Sequence, residues 1–429
     1  MDGSKPGVHL NLNVWGLGRS PTIAIDARSR ELAAAGHRIY RFGLGQSPFP
    51  VPAPVVAALR EHAPVKDYLP VEGLPALREA VARYYCLRGV ERTAQDILVG
   101  PGSKELMFLL QLTFYGDLVI PTPSWVSYAP QAQIVGRPIR WVPTTAEDGW
   151  PLTPAELDRV CRDEPEKPRL VVLNYPANPT GQTYDVGRLE ELAAVARRYR
   201  ALLLSDEIYG ELHHQGLHES VARFYPEGTI VSSGLSKWCG AGGWRLGTFA
   251  FPPTLAWLRE AMAAVASETF TSTSAPIQYA AVTAFEVGAE IQQYLRSARR
   301  VLRAFGALVH RELVRAGAEV AEPCGGFYVF PDFGPLRQRL RERGIETSTE
   351  LCERLLLETG VALLPGLAFG RPPEELTARL AYVDFDGALA LVAARALEPE
   401  SELDEGFVAQ QAPRLVEGLS RLTEWCAAR

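Results

Sequence analysis

The sequence predicts an α/β protein: a large domain with a mostly parallel sheet flanked by helices, joined to a smaller α+β domain. Three observations carry that expectation. Short apolar runs at 97–100, 117–120, 170–173, 202–204 and 229–233 alternate with stretches whose apolar residues recur at helical spacing, the pattern of strands covered on both faces. Most of these runs end in Gly, Pro, Ser or Asn, the residues that punctuate strand-to-helix turns. At 429 residues the chain exceeds the usual size of one hydrophobic core, so two domains are expected. The expected division is an arm and first part of the small domain at 1–50, the large domain at 51–305, and the rest of the small domain at 306–429.

Taken in order, Pro21-Thr22 opens an amphipathic helix carrying Ile23, Ala24, Ala27, Leu32 and Ala33 and stopped at Gly36. Residues 39–44 read as a strand ending at Gly45, followed by a proline-rich crossing. Apolar spacing predicts helices over 55–62 and 74–85, with Tyr68 in the loop between them. The run 97–100 turns through Gly102-Ser103-Lys104 into a helix reaching Tyr115. The next two runs end in loops bearing Trp125 and Asn178, and Asp185 caps a helix with Leu189, Leu192, Ala193, Ala196 and Tyr199 on one face. Residues 202–204 lead into Asp206-Glu207-Ile208-Tyr209, and 229–233 into Lys237, a glycine-rich loop, Arg245 and a further apolar run at 246–251. Beyond it, 278–314 reads as one long helical stretch. Val320, 327–330, 361–364 and part of 376–385 read as strands, 351–357 as a helix, and the tail 388–425 as helical.

A formal net charge of −6 and a pI near 5.8 give no electrostatic reason to expect nucleic acid. The polar terminus 1–10 lacks an apolar signal core, and no apolar run is long enough to span a bilayer. Six cysteines are dispersed without the paired spacing of zinc or redox sites. His213, His214 and His218 read as a solvated loop, not a metal site. The expectation is a cytoplasmic chain with reduced thiols, no metal and no membrane partner.

In parallel sheets, ligands bind beyond the carboxyl ends of the strands, and Ser103, Trp125, Asn178, Asp206, Tyr209 and Lys237 all fall there. Lysine is scarce: the five are Lys5, Lys66, Lys104, Lys167 and Lys237. Lys5 and Lys167 read as solvated, and only Lys237 joins an apolar strand before it to a glycine-rich loop after it. A lysine at a buried strand end is costly to desolvate unless it is used, and one use is as a nucleophile toward a carbonyl cofactor. Arg245 offers a planar fork for a phosphate, and the helix start at Ser103 offers free N–H groups. Together these are the parts needed to hold a phosphorylated aldehyde. Gly240-Ala241-Gly242 imitates a dinucleotide fingerprint, but Arg245 stands where the third glycine belongs.

From about Pro21 to the C-terminal helices, these ordered motifs resemble the class I aminotransferases of the fold-type I pyridoxal-phosphate enzymes. The resemblance implies a seven-stranded large domain, pyridoxal phosphate as cofactor, amino-acid and 2-oxo-acid substrates, and a homodimer with shared active sites. Lys237 would be the Schiff-base lysine and proton carrier, and Asp206 the partner of the pyridinium nitrogen. Tyr209 and Asn178 would bond the phenolic oxygen of the cofactor, and Trp125 would stack on its ring. Gly102, Ser103, Lys104, Ser236 and Arg245 would hold the phosphate, with Tyr68 reaching it from the partner subunit. Arg379 would grip the substrate carboxylate, and Gly45 and Leu17 would close over the substrate. Asn178 and Trp125 also border the substrate position.

Two departures stand out. The place three residues before the lysine, often Ser or Thr, is Gly234, and Glu268-Thr269-Phe270-Thr271 lacks the second arginine of dicarboxylate-specific members. A ping-pong transaminase for neutral or aromatic amino acids is therefore the leading expectation. Carbon–sulfur β-elimination or oxidative deamination on the same fold is the alternative. A cofactor-binding regulatory module and a dinucleotide enzyme are the readings from other classes.

Overall fold

The computed structural model describes residues 9–398 and 401–428. The polar terminus at 1–8, Lys5 included, lies outside the described residues. Seven strands form the main sheet: β1 (Ile97–Gly100), β2 (Asp117–Thr122), β3 (Ile139–Pro143), β4 (Arg169–Asn174), β5 (Leu202–Asp206), β6 (Thr229–Gly234) and β7 (Gly247–Ala250). Their order is β1-β7-β6-β5-β4-β2-β3. All neighbours are parallel except β7, which runs antiparallel to β1 and β6. β1, β4, β6 and β7 are buried almost throughout, which explains their unbroken apolar sequences. Helices Ser103–Thr113 and Ala256–Thr269 cover one face with Leu106, Met107, Leu110, Leu258 and Met262. Helices Pro154–Arg162 and Val186–Arg198 cover part of the other with Leu157, Leu189 and Leu192. Asp185 caps the second of these by accepting from the Arg188 N–H.

A second, antiparallel sheet joins β8 (Tyr328–Val329), β9 (Leu364–Pro365) and β10 (Ala378–Ala381) in the order β8-β10-β9. The largest apolar cluster runs from Leu77 and Val99 of the first layer to Leu380 and Leu415 of the second, so the two share a core. Buried Arg371 ties them further. Its guanidinium donates to the carbonyls of Thr122 (2.9 Å) and Thr144 (3.0 Å), at the ends of β2 and β3, while Glu375 holds its other side.

Several expectations change. Residues 39–44 form no strand: Tyr40 makes one isolated parallel bridge to Val361, Phe42 accepts from the Ala381 N–H of β10, and Arg414 on the Ile39 carbonyl and Asp384 on the Arg41 N–H add to the hold. Val320 likewise lies outside any strand. The stretch 278–314 is two helices, Ala275–Glu286 and Ala289–Arg315, broken where Val287 takes a left-handed φ of 48° before Gly288. The expected division at 305/306 falls inside the second of them. The tail is three helices, with Asp386, Asp404 and Pro413 starting each in turn. Strand β3 and helix Tyr128–Ile134 were not anticipated, because the edge strand mixes Arg140 and Pro143 with apolar residues and the helix is one short piece. Among the described residues no helix is long and apolar enough to cross a membrane.

Candidate active site

The carboxyl ends of β4, β5 and β6, the start of helix Ser103–Thr113 and the segment at Gly45 enclose a cleft of about 590 Å³. Gly45, Ser103, Lys104, Trp125, Asn178, Asp206, Tyr209, Ser236, Lys237 and Arg245 all line it, with Asn174 and Ile208 between them. Lys237 donates its ammonium to the Gly45 carbonyl at 2.7 Å and lies 5.6 Å from the Tyr209 ring centre. A basic amine is thus held inside the cleft by a main-chain acceptor and aromatic faces.

One wall is built for an anion. Gly102 precedes the helix with φ 95°, and a Cβ there would lie 2.3 Å from Arg245 Nη2, so only glycine lets the guanidinium cross this turn. Arg245 is itself left-handed (φ 57°) and is fixed by donating to the Gly242 carbonyl at 2.9 Å. A Cβ at Gly247 would meet the Ser103 nitrogen at 2.0 Å, so the helix start packs directly on β7. Free N–H groups, the helix dipole and Arg245 therefore converge. Lys104 adds a second cation 5.1 Å from the Trp125 ring centre, its pKa lowered first by burial and then by Arg245. Gly234 also has a physical reason: a Cβ there would lie 2.6 Å from the Leu246 carbonyl of the returning chain. A serine or threonine does not fit.

On the opposite wall, burial raises the Asp206 carboxyl to about 6, against the pull of a hydrogen bond from Tyr128 (2.6 Å). Its Oδ1 is buried with no hydrogen-bond partner, a costly arrangement unless a ligand supplies one. Tyr128 was missed by the sequence reading; the Trp125-x-x-Tyr128 spacing at the start of a helix was its only signal. Burial also raises Tyr209 well above the ordinary phenol range, so its hydroxyl stays a donor.

Arg379 on β10 is only 1% exposed, with Nη1 donating to Asn178 Oδ1 (3.0 Å) and Nη2 to the Gly43 carbonyl (2.5 Å). It borders the cleft through Asn178 instead of lining it. Tyr68 and Leu17 are not brought into the cleft of their own chain. Tyr68 is 88% exposed. Leu17 follows a short turn seated on helix Tyr128–Ile134, where Asn13 donates to the Ile134 carbonyl.

The histidines are not solvated. His213 and His214 are buried and held neutral, their pKa values depressed by burial to about 4, and His218 bonds the buried Glu207 at 2.9 Å. Lys167 lies in its expected loop, where it also pairs with the buried Asp117 at 3.0 Å.

The residues present fit a phosphorylated pyridine aldehyde: an amine, an anion cradle and an unpartnered buried carboxylate oxygen share one cleft. A cation next to Asp206 would restore its ionised form. The raised carboxyl of Asp206 makes both the fold and cofactor binding depend on pH. Its folded pKa lies above the unfolded value of 3.8, so the cofactor-free fold is penalised above pH 6 and relieved as the pH falls toward 4. Cofactor affinity should accordingly fall about tenfold per pH unit below 6. In Tyr128→Phe, which removes a bond to the ionised form, that midpoint should move upward. Equilibrium binding from pH 5 to 8 reads both curves; the cofactor's own phosphate titrates equally in each, so their separation is the diagnostic.

Residues 38–397 match the family model for aminotransferase class I and II. The aspartate aminotransferase of Geobacillus stearothermophilus is 32% identical over 376 residues, covering 85% of this chain and 91% of that protein. The solved aspartate aminotransferase from Thermus thermophilus with maleate superposes with a TM-score of 0.82 at 28% identity, covering 97% of this chain and 100% of the other. The aromatic aminotransferase from Pyrococcus horikoshii superposes at 0.75 and 28%, covering 89% and 94%. Motif order, cleft and likeness agree: the chain belongs to the class I and II aminotransferases, enzymes that use pyridoxal phosphate to move an amino group between an amino acid and an oxo acid.

Proposed function

We propose that this aminotransferase runs a ping-pong cycle in which Lys237 first holds the cofactor and then, released, carries the proton from the donor's α-carbon. The observation that supports this most is the Lys237 ammonium inside the cleft, with Arg245 and the Ser103 helix start on one wall and Asp206 on the other. When bound, pyridoxal phosphate supplies an electron sink for the pair left on the α-carbon. Asp206 keeps the ring nitrogen protonated, and Trp125 covers the ring. Tyr209 and Asn178 bond the phenolic oxygen. Gly102, Ser103, Lys104, Ser236 and Arg245 bind the phosphate. Arg379 binds the donor α-carboxylate as a fork. Tyr68, exposed in the single chain, is read as reaching the phosphate of a second copy, which makes the working unit a homodimer.

The donor side chain we infer is acidic. Lys104, beside the phosphate wall, also offers its cation toward the donor side chain, and among the described residues Arg245, already on the phosphate, is the one arginine lining the cleft; the Geobacillus and Thermus relatives are named for aspartate. A neutral or aromatic donor is the second reading, favoured by the Trp125 wall and the Pyrococcus likeness. A panel of single amino acids added without oxo acid to the yellow holoenzyme decides. Bleaching by aspartate and not by phenylalanine supports the acidic reading; the reverse overturns it. Release of ammonia or pyruvate would move the assignment to deamination or β-elimination.

A further inference from the structure

Tyr328 was not singled out by its sequence position, yet it touches three parts of the site. It opens β8 and is only 1% exposed. Its hydroxyl lies 2.9 Å from the Tyr209 hydroxyl and 3.3 Å from the Gly45 carbonyl, the same carbonyl that accepts Lys237. Its ring lies under the Arg379 guanidinium at 4.7 Å. A Cβ at Gly45 would sit 1.8 Å from the Tyr328 oxygen, so the glycine there leaves room for this hydroxyl.

Two phenols hold two protons, and two hydrogen-bond arrangements use them. In one, Tyr209 donates to Tyr328, and Tyr328 donates to Gly45. In the other, Tyr209 turns its proton to an anionic oxygen in the cleft, and Tyr328 turns from Gly45 to donate to Tyr209. Both arrangements use both protons, and in the second a donor bonded to Tyr209's oxygen strengthens the bond Tyr209 makes in turn. No covalent bond changes; two hydroxyls rotate.

We propose that Tyr328 is a positioning residue for the amino transfer, one that donates to the Tyr209 oxygen and so strengthens the bond Tyr209 gives to an anionic oxygen in the cleft. This rests on the reading above, in which Tyr209 bonds the phenolic oxygen of the cofactor.

The test is the pH titration of the visible band of the holoenzyme in Tyr328→Phe, which removes one oxygen and keeps the ring under Arg379. The charged groups facing the two hydroxyls, Lys237, Arg379 and Asp206, are unchanged in it. A weaker donor at Tyr209 favours the phenolic oxygen less as an anion, so the midpoint should rise by about half a unit to one unit. Tyr209→Phe should raise it further, and adding Tyr328→Phe to that variant should do nothing more. A midpoint that moves in Tyr209→Phe but stays in Tyr328→Phe overturns the role of Tyr328 alone. The same holds if Tyr328→Phe shifts it equally with and without Tyr209. An unmoved midpoint in Tyr209→Phe overturns the assignment of Tyr209 and this proposal with it.

Discussion

Lys237→Ala should retain the cofactor noncovalently and lose at least about four orders of magnitude in turnover, since in the proposed mechanism it deletes both the covalent anchor and the proton carrier. Borohydride reduction of wild type should leave a stable cofactor adduct at residue 237, and the variant should leave none. The effect is local. The ammonium's one hydrogen bond goes to the Gly45 carbonyl, so the variant should fold and melt close to wild type. Lys104→Ala provides the contrast. Its cation sits on Trp125 at the anion wall, and its loss should weaken phosphate or acidic-substrate affinity while leaving the adduct intact. A Lys237→Ala protein with full turnover would end the proposed mechanism.

Arg379→Leu should lower kcat/KM for every amino-acid donor by about two to four orders of magnitude, as expected when one partner of a buried charge-assisted pair is removed. Arg379→Lys should recover little, because a point charge cannot reproduce a fork already aimed by Asn178 and the Gly43 carbonyl. Half-reactions with an amino acid and with the matching amine lacking a carboxylate separate binding from chemistry. Only the first should suffer. If both fall equally, Arg379 is structural. A smaller loss of stability, about 1–3 kcal/mol, should accompany the change, since Asn178 Oδ1 and the Gly43 carbonyl lose their donor.

Lys237, Asp206 and Asn178 were legible because a buried parallel strand announces itself as an apolar run, and the residues just past its end have a fixed place in such sheets. Tyr128 and Tyr328 were not. Tyr128 meets Asp206 across 78 residues, and Tyr328 meets Tyr209 across 119, separations at which local pattern carries no signal. His214 was misjudged for a related reason: the backbone around Cys324 and Gly326 folds over it and supplies its hydrogen bonds. The strand expected at 39–44 has the right composition, but its main chain bonds Gly360 and Ala362 through Tyr40 and Ala381 through Phe42, too few contacts in register to make a ladder. Gly234, a departure by motif, is required by the returning chain, whose Leu246 carbonyl an added Cβ would meet at 2.6 Å.

The acceptors that Arg371 uses at Thr122 and Thr144 are main-chain oxygens, as are those for Arg379 at Gly43 and Lys237 at Gly45. No substitution at those acceptor positions can delete them. Side-chain changes at Thr122 and Thr144 can therefore leave the Arg371 anchor between the two layers in place. On the acceptor side, the alignment of the two layers is carried by the main chain.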